Sequence, residues 1–146
     1  MTLEADVRLA RHADLDALFE LDAVARREEC RQQFIARAVA NGQCWVATDA
    51  DGAGLVLGYG VLDNSFFGQD FIPLVMVRDS ARRRGVGAAI LRVLQSRSSG
   101  DKLFTSTNAS NLPMQALLGK LGFLGSGQVE NLDDGDPELV FVKFRS

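Results

Sequence analysis

The N-terminal third of the chain has a pattern of apolar and polar positions that predicts one strand followed by two helices. Asp6–Ala10 shows the short apolar–polar alternation of a strand, and the apolar residues within Ala13–Ala25 recur at helical spacing. A second helix is predicted from about Glu28. We expect it to end at Asn41 and Gly42, because both residues tolerate the left-handed conformation found at helix ends.

The middle of the chain contains several β-prone runs. Cys44–Thr48 and Leu55–Leu62 are apolar and flank the turn-forming residues of Asp49–Gly54, which is typical of an antiparallel pair. The nearly continuous apolar run Phe71–Val77 predicts a central strand. Pro73 within this run has no N–H group to donate, so we expect a bulge or a gap in the strand pairing at that position.

The C-terminal half is predicted to contain two more helices and three more strands. One helix follows the loop at Arg84–Gly87, and the other follows Asn111, a helix-capping residue with Pro113 in the first turn. Gly122 is expected to end the second of these helices. Strands are predicted over Lys102–Ser106, Phe123–Val129 and Glu138–Phe144. No linker or repeat interrupts the pattern, which predicts a single α/β domain over residues 1–146.

The composition is typical of one soluble globular domain. The chain has 146 residues, of which 47% are hydrophobic and 24% are charged. A formal net charge of -3 gives no general attraction to nucleic acid or to an anionic membrane. Charged residues near the N-terminus and the lack of a long apolar run predict a cytoplasmic protein without a signal peptide or a membrane span.

The cysteines and the histidine narrow the possible chemistry. Cys30 and Cys44 lack the spacing of a metal or redox motif and are expected to be free, buried thiols. His12 is the only histidine, so a zinc site built on histidine is not expected, and we predict no metal site.

The most informative segment is an apolar strand that runs through a basic, glycine-containing turn into a helix. The turn reads Arg82-Arg83-Arg84-Gly85-Val86-Gly87-Ala88. The first N–H groups of a helix have no internal acceptor and carry positive potential, so such a junction favours a phosphate group. The dinucleotide fingerprint does not fit, because its third glycine position is Ile90, and the Gly-Lys-Ser/Thr of a P-loop is absent.

The spacing that does fit is R/Q-x-x-G-x-G/A, with Arg82, Gly85 and Gly87, and here the chain resembles the GCN5-related N-acetyltransferase (GNAT) superfamily. A later segment, from Asn111 to Phe123, is similar to the second cofactor segment of that superfamily, N-x-x-A-x-x-L-Y-x-K-x-G-F. The order of the predicted elements also agrees over nearly the whole chain.

The resemblance implies a mixed, mostly antiparallel sheet with helices on both faces and a splay between the fourth and fifth strands. Acetyl-CoA would lie in the splay, with its diphosphate on the glycine loop and its pantetheine arm along the fourth strand. The acetyl group would pass directly to a primary amine of a small-molecule acceptor. The cofactor-binding residues so implied are Val75, Met76, Val77, Arg82, Arg83, Arg84, Gly85, Val86, Gly87, Ala88 and Asn111. A homodimer remains open.

The chain departs from the superfamily at two catalytic positions. Pro73 stands where a glutamate often serves as base, and Leu118 stands where a tyrosine often serves as acid. The only tyrosine, Tyr59, lies in an earlier predicted strand. Two candidate catalytic residues remain: Asp70 as a proton relay or a solvated loop carboxylate, and Asn111 as an orienting group or a helix cap.

Two further features bear on the acceptor. Phe66 and Phe67 either form a wall of the acceptor pocket or belong to the core. The carboxylates around the last predicted turn form either an amine-binding cluster or an ordinary surface turn; they are Glu130, Asp133, Asp134, Asp136 and Glu138. Two other functions stay open: a non-catalytic acyl-CoA-binding regulatory module, and a protein-interaction domain in which the glycine loop is only a turn.

Overall fold

The computed structural model of the chain describes residues 4–51 and 54–145. Within these ranges the strands are β1 (Ala5–Leu9), β2 (Cys44–Asp49), β3 (Val56–Phe66), β4 (Gln69–Val77), β5 (Lys102–Asn108), β6 (Leu124–Val129) and β7 (Glu138–Phe144). The α-helices are α1 (Leu15–Leu21), α2 (Ala23–Arg27), α3 (Glu29–Ala40), α4 (Val86–Arg97) and α5 (Leu112–Lys120).

The strands form one sheet in the order β1-β2-β3-β4-β5-β7-β6. The pairs β1–β2, β2–β3, β5–β7 and β6–β7 are antiparallel, whereas β4 and β5 are parallel. This arrangement confirms the predicted mixed, mostly antiparallel sheet. None of the helices in the described part of the chain is long and apolar enough to cross a membrane.

The parallel pairing of β4 and β5 is short. It runs from Asp70 opposite Leu103 to Ile72 opposite Thr105 and stops before Pro73. A proline has no N–H group for the ladder, so it is tolerated where a partner strand is lacking. The gap predicted at Pro73 and the splay between the fourth and fifth strands are therefore confirmed.

Backbone contacts divide the chain into two compact units. The first unit runs through Leu62 and resumes at Leu74–Ser96, and the second comprises Asp63–Pro73 and the chain from Arg97 onward. Fully buried side chains of the first unit include Leu18, Ile35, Val46, Tyr59, Ile90 and Leu94. In the second unit the buried apolar residues include Ile72, Leu103, Leu118, Phe123, Val140 and Val142. The single domain over residues 1–146 stays a prediction.

The predicted helix over Ala13–Ala25 is wrong, because the chain breaks at Asp22. That residue is extended, with φ -98° and ψ 107°, and separates α1 from α2. Its side chain accepts hydrogen bonds from the N–H groups of Val24 and Ala25 and so caps α2. Apolar spacing continues through the break, so periodicity alone does not show it.

Two local predictions also need correction. Cys44 is buried as expected, but Cys30 is exposed on α3. Phe66 belongs to β3 rather than to a loop, so only Phe67 and Gly68 connect β3 to β4. Both connecting residues have positive φ, 53° and 75°, which matches the tight two-residue turn of a β-hairpin.

Helix α4 packs closely on β3 because two positions of the strand are glycines. A Cβ on Gly60 would lie 2.6 Å from Cγ2 of Ile90 and 3.0 Å from Cδ1 of Leu94. A Cβ on Gly58 would lie 3.2 Å from Cδ1 of Ile90 on α4 and 2.6 Å from the backbone oxygen of Met76 on β4. The absence of side chains at these two positions therefore lets α4 lie this close to β3.

We expect Gly60→Ala to lower the free energy of unfolding by about 1 to 3 kcal/mol, because the added methyl group overpacks the contact with α4. Gly119→Ala is the matched control. Gly119 lies within α5, and a Cβ there would meet nothing within 4 Å. The control should raise the free energy of unfolding by up to about 1 kcal/mol, since alanine favours the helix. Urea unfolding of both variants is the measurement, and equal stability of Gly60→Ala and wild type would contradict the account.

Candidate active site

The connection between β4 and α4 has a strained backbone. A 3-10 turn over Asp79–Ala81 is followed by extended Arg82, and then Arg83 and Gly85 adopt positive φ of 62° and 86°. Glycine adopts this conformation freely, whereas arginine pays about 1 to 2 kcal/mol. Strain of this kind is retained where the surrounding structure and the function of a loop require it.

The N-terminus of α4 presents backbone N–H groups that have no acceptor. The first backbone bond runs from Ala89 N to Gly85 O, at 3.0 Å. Among the described residues, no group accepts from the N–H of Val86, Gly87 or Ala88. Three unpaired donors at the positive end of a 12-residue helix suit a phosphate or diphosphate group.

The three arginines of the loop differ in their contacts. Arg82 is tied to the loop itself, with Nη2 3.2 Å from Asp79 Oδ1 and Nε 3.3 Å from the oxygen of Val77. Arg83 and Arg84 are exposed and have no ion-pair partner within the ranges that the structure describes. These two guanidinium groups can therefore face an anion at the helix start.

Arg78 fixes the start of the loop. Its Nε donates to Val56 O at 2.9 Å, and its Nη1 donates to both carboxylate oxygens of Glu20 on α1, at 2.9 and 3.0 Å. Its backbone N–H also donates to Leu57 O at 2.7 Å. Sequence reasoning did not single out Arg78, because its partners lie far away along the chain.

The candidate residues of the strand lie beyond the last pair with β5. Val75, Met76 and Val77 follow Pro73 and are all partly buried. Met76 packs against the core of the first unit. The pairing pattern thus leaves this part of β4 without a β5 partner, as the predicted backbone contacts with a pantetheine arm would require.

Asp70 accepts hydrogen bonds from the residues that connect α4 to β5. Its Oδ2 accepts from Ser98 Oγ at 2.7 Å, Ser99 N at 3.1 Å and Gly100 N at 3.0 Å. Burial by itself raises the pKa of Asp70, but these hydrogen bonds outweigh burial and hold the pKa below its usual value. A low pKa makes a carboxylate a weaker proton acceptor, so the contacts favour a structural role. The role as a proton relay stays a prediction.

Asn111 caps α5. Its Oδ1 accepts from Met114 N at 3.2 Å, and the residue is exposed. The amide nitrogen of its side chain has no acceptor in the described part of the chain, so it remains available to donate. Leu118, at the position of the missing acid, is 1% exposed and lies in the core. The orienting role of Asn111 stays a prediction.

Tyr59 belongs to a buried polar network in the first unit. Its hydroxyl donates to Asp22, whose Oδ2 also accepts from Arg31 Nη1 at 2.8 Å. Tyr59 and Asp22 are both 0% exposed. Burial and the bond to Asp22 raise the pKa of Tyr59, so this phenol is held as a structural donor.

The carboxylates of the β6–β7 connection are hydrogen-bonded to β5 and to the residues after it. Asp133 Oδ2 accepts from Asn108 Nδ2 at 2.9 Å, Asp136 Oδ2 accepts from Ser110 Oγ at 2.6 Å, and Glu138 Oε2 accepts from Ser106 Oγ at 2.7 Å. The described residues contain no group of three or more His, Cys, Asp or Glu placed to hold a metal ion. The three hydrogen bonds hold the β6–β7 connection and the start of β7 against β5 and the residues that follow it.

Phe66, the last residue of β3, and Phe67, in the turn after it, precede β4, whereas the glycine loop follows the end of that strand. Phe66 stacks on Phe71 at 5.1 Å between ring centroids and contacts Phe104 at 5.0 Å. Phe67 is 88% exposed. The role of these rings as walls of an acceptor pocket stays a prediction.

Comparisons with known proteins agree with this architecture. A family model described as "Acetyltransferase (GNAT) family" matches residues 10–123. A GNAT-family acetyltransferase from Bacillus cereus is 33% identical, with a TM-score of 0.88 over 98% of this chain and 99% of that chain. A search of curated protein sequences gave no match.

More distant solved structures share the fold. The putative acetyltransferase yncA from Salmonella typhimurium, solved with its cofactor acetyl-CoA, is 16% identical, with a TM-score of 0.75 over 96% of this chain and 93% of that chain. Arabidopsis thaliana NAA60, in complex with a bisubstrate analogue, is 19% identical, with a TM-score of 0.75 over 97% of this chain and 98% of that chain.

Because Asp22 is a buried, hydrogen-bonded carboxylate, we expect the free energy of unfolding to depend on pH. Burial raises the pKa of Asp22, but the Tyr59 hydroxyl, the Ala25 N–H and the charge of Arg31 together hold it below its usual value. A carboxylate with a lowered folded-state pKa stabilises the protein fully above the unfolded-state pKa, about 3.9. That contribution is lost as the pH falls through the lower folded-state value.

We therefore expect Asp22→Asn to cost about 3 kcal/mol at pH 7, because Arg31 loses its buried partner. Below about pH 4 wild type should lose stability faster than the variant, so the difference between them should narrow. Asp16→Asn, at an exposed position of α1, is the control and should follow wild type. Urea unfolding between pH 3 and pH 7 is the measurement, and a difference that stays constant over this range would contradict the role given to Asp22.

Proposed function

The chain belongs to the GNAT acetyltransferase family, and from this premise we propose that it moves an acetyl group from acetyl-CoA directly to a primary amine of a small-molecule acceptor. The proposal rests on unpaired backbone donors at the start of α4. There the N–H groups of Val86, Gly87 and Ala88 are unpaired, next to the exposed side chains of Arg83 and Arg84.

The loop is proposed to hold the diphosphate of acetyl-CoA. The N–H groups at the helix start donate to phosphate oxygens, and each charge-assisted hydrogen bond is worth about 1.5 to 3 kcal/mol. Gly85 and Gly87 let the backbone approach the oxygens without a Cβ in the way. Arg82 braces the loop through Asp79, and Arg78 anchors its start on Glu20.

The unpaired half of β4 is proposed to hold the pantetheine arm. Backbone groups of Val75 and Val77 would exchange hydrogen bonds with the amides of the arm, as an added strand would. When bound, the thioester supplies an activated acetyl group. The contribution of the chain is then to fix this group beside the amine, and proximity of that kind supplies a large part of a rate enhancement.

The acceptor is proposed to be a small cationic amine. The net charge of -3 and the carboxylates of the β6–β7 connection favour a cation over an anionic acceptor. We place the protein in the cytoplasm, because its two cysteines are free and Cys30 is exposed, which suits a reducing compartment.

A second function is favoured by one observation. Pro73 and Leu118 carry no titratable group, so the chain lacks both catalytic side chains that its relatives often use. A module that binds acyl-CoA and responds to it without transferring the acyl group would need neither. Release of coenzyme A on addition of a panel of primary amines separates the two functions, because only the enzyme turns over.

Gly87→Glu tests the cofactor loop. The new side chain would place bulk and negative charge at the helix start, so we expect acetyl-CoA affinity to fall more than a hundredfold by calorimetry. Gly125→Glu is the matched control, since Gly125 is exposed on β6 and a Cβ there would meet nothing within 4 Å. The control should bind as wild type does. Unchanged affinity in a folded Gly87→Glu protein would place the site elsewhere.

A further inference from the structure

The loop between β4 and α4 is held at one end by packing and at the other by the hydrogen bonds of one residue. At the α4 end, Ile90 packs against Gly60 of β3. At the β4 end, Arg78 is the only one of the described residues 78–85 that forms a hydrogen bond or ion pair with an element other than the flanking β4 and α4. The strained conformation of the loop, with Arg83 at positive φ, therefore depends on Arg78 at this end.

Arg78 joins the loop to β3 and α1. Its Nε donates to Val56 O at 2.9 Å, and its Nη1 donates to Oε1 and Oε2 of Glu20 at 2.9 and 3.0 Å. Its backbone oxygen accepts from Ala81 N at 2.9 Å, within the 3-10 turn that begins the loop. A carboxylate on α1 and a carbonyl at the start of β3 thus set the direction in which the chain leaves β4.

Glu20 belongs to the corner between α1 and α2, residues 15–27. It lies in the last turn of α1, two residues before the break at Asp22. Its backbone oxygen accepts from Arg26 Nη1 on α2 at 2.6 Å, while its carboxylate accepts from Arg78. All of these residues, the loop and α4 belong to the first unit. Glu20 therefore connects both helices of the α1–α2 corner to the start of the loop.

The ion pair between Glu20 and Arg78 is specific in geometry but partly open to solvent. The side chain of Arg78 is 17% exposed, whereas that of Glu20 is 60% exposed. An ion pair with an exposed partner contributes little to the free energy of unfolding. Its effect should therefore be seen in the orientation of the loop rather than in the stability of the whole protein.

We propose that Arg78 and Glu20 are positioning residues for the cofactor, and that their ion pair couples the loop to the α1–α2 corner. This inference rests on the proposed function. Binding of acetyl-CoA at the loop then stabilises the corner, and the anchored corner strengthens binding, because coupling between two sites is reciprocal. Part of the affinity for acetyl-CoA is thus supplied by a carboxylate on α1, outside the loop itself.

Positioning can be separated from a direct contact between Arg78 and phosphate. If Arg78 bound phosphate, removal of the Glu20 charge would free the guanidinium group and tighten the binding of an anion. If Arg78 positions the loop, removal of that charge releases the anchor and weakens binding. The two roles therefore predict changes in affinity of opposite sign.

The test measures acetyl-CoA affinity by calorimetry in Glu20→Gln, in Arg78→Lys and in the double variant. Each single variant should bind about tenfold more weakly than wild type, which is a typical size for coupling between sites. Lysine keeps the positive charge but lacks the planar fork that reaches Val56 and Glu20 together. The double variant should bind about as weakly as Arg78→Lys alone, because both substitutions break the same ion pair.

Asp16→Asn is the matched control. It removes the same charge from an exposed position of α1, one turn before Glu20, and should bind acetyl-CoA as wild type does. Amide hydrogen exchange gives a second readout. Saturating coenzyme A should slow exchange over the α1–α2 corner in wild type and in Asp16→Asn, but not in Glu20→Gln. Urea unfolding should find Glu20→Gln nearly as stable as wild type, so that its weaker binding is not a loss of fold.

Three outcomes overturn the inference. If Glu20→Gln binds acetyl-CoA as tightly as wild type, or more tightly, the ion pair does not position the loop, while the proposed function stands. If coenzyme A binds to wild type but leaves exchange over the α1–α2 corner unchanged, the two regions are not coupled. If wild type does not bind acetyl-CoA at all, the proposed function fails and the inference fails with it.

Discussion

Pro73 is the constraint on which the architecture of the site depends. A proline gives no N–H group to a ladder, and the pairing of β4 with β5 ends one residue before it. The strand continues to Val77 without a β5 partner, so its backbone groups remain available for a ligand.

The second requirement is the position of the α4 N-terminus. Gly58 and Gly60 let the helix approach β3 closely, and Arg78 ties the end of β4 to α1 through Glu20. Within this frame the loop holds Arg83 at φ 62°. The packing of the first unit thus holds the three unpaired N–H groups in a fixed position. Donors fixed in advance in this way favour anion binding, because little ordering is left to be done when the anion binds.

Local signals were sufficient for part of this picture. The spacing of Arg82, Gly85 and Gly87 indicated the loop, and Pro73 indicated the end of the strand pairing, because both follow from backbone chemistry at the residue itself. The end of α3 at Asn41 and Gly42 was predicted for the same reason, and Gly42 has φ 68° there.

Contacts between distant residues were not predictable in this way. Asp22 separates the two helices, and its buried carboxylate accepts a hydrogen bond from Tyr59, 37 residues later. The Ser106–Glu138 bond joins residues 32 positions apart. Apolar periodicity carries no information about which buried polar groups meet, so such partners emerge only once the strands are aligned.

The most direct test of the central claim is a titration of the protein with coenzyme A, followed by the shifts of its backbone amide signals in 1H–15N NMR spectra. We expect the largest changes at Arg84 to Ala88, with further changes at Val75 to Val77. Saturable binding that leaves the amides of Val86, Gly87 and Ala88 unshifted would contradict it.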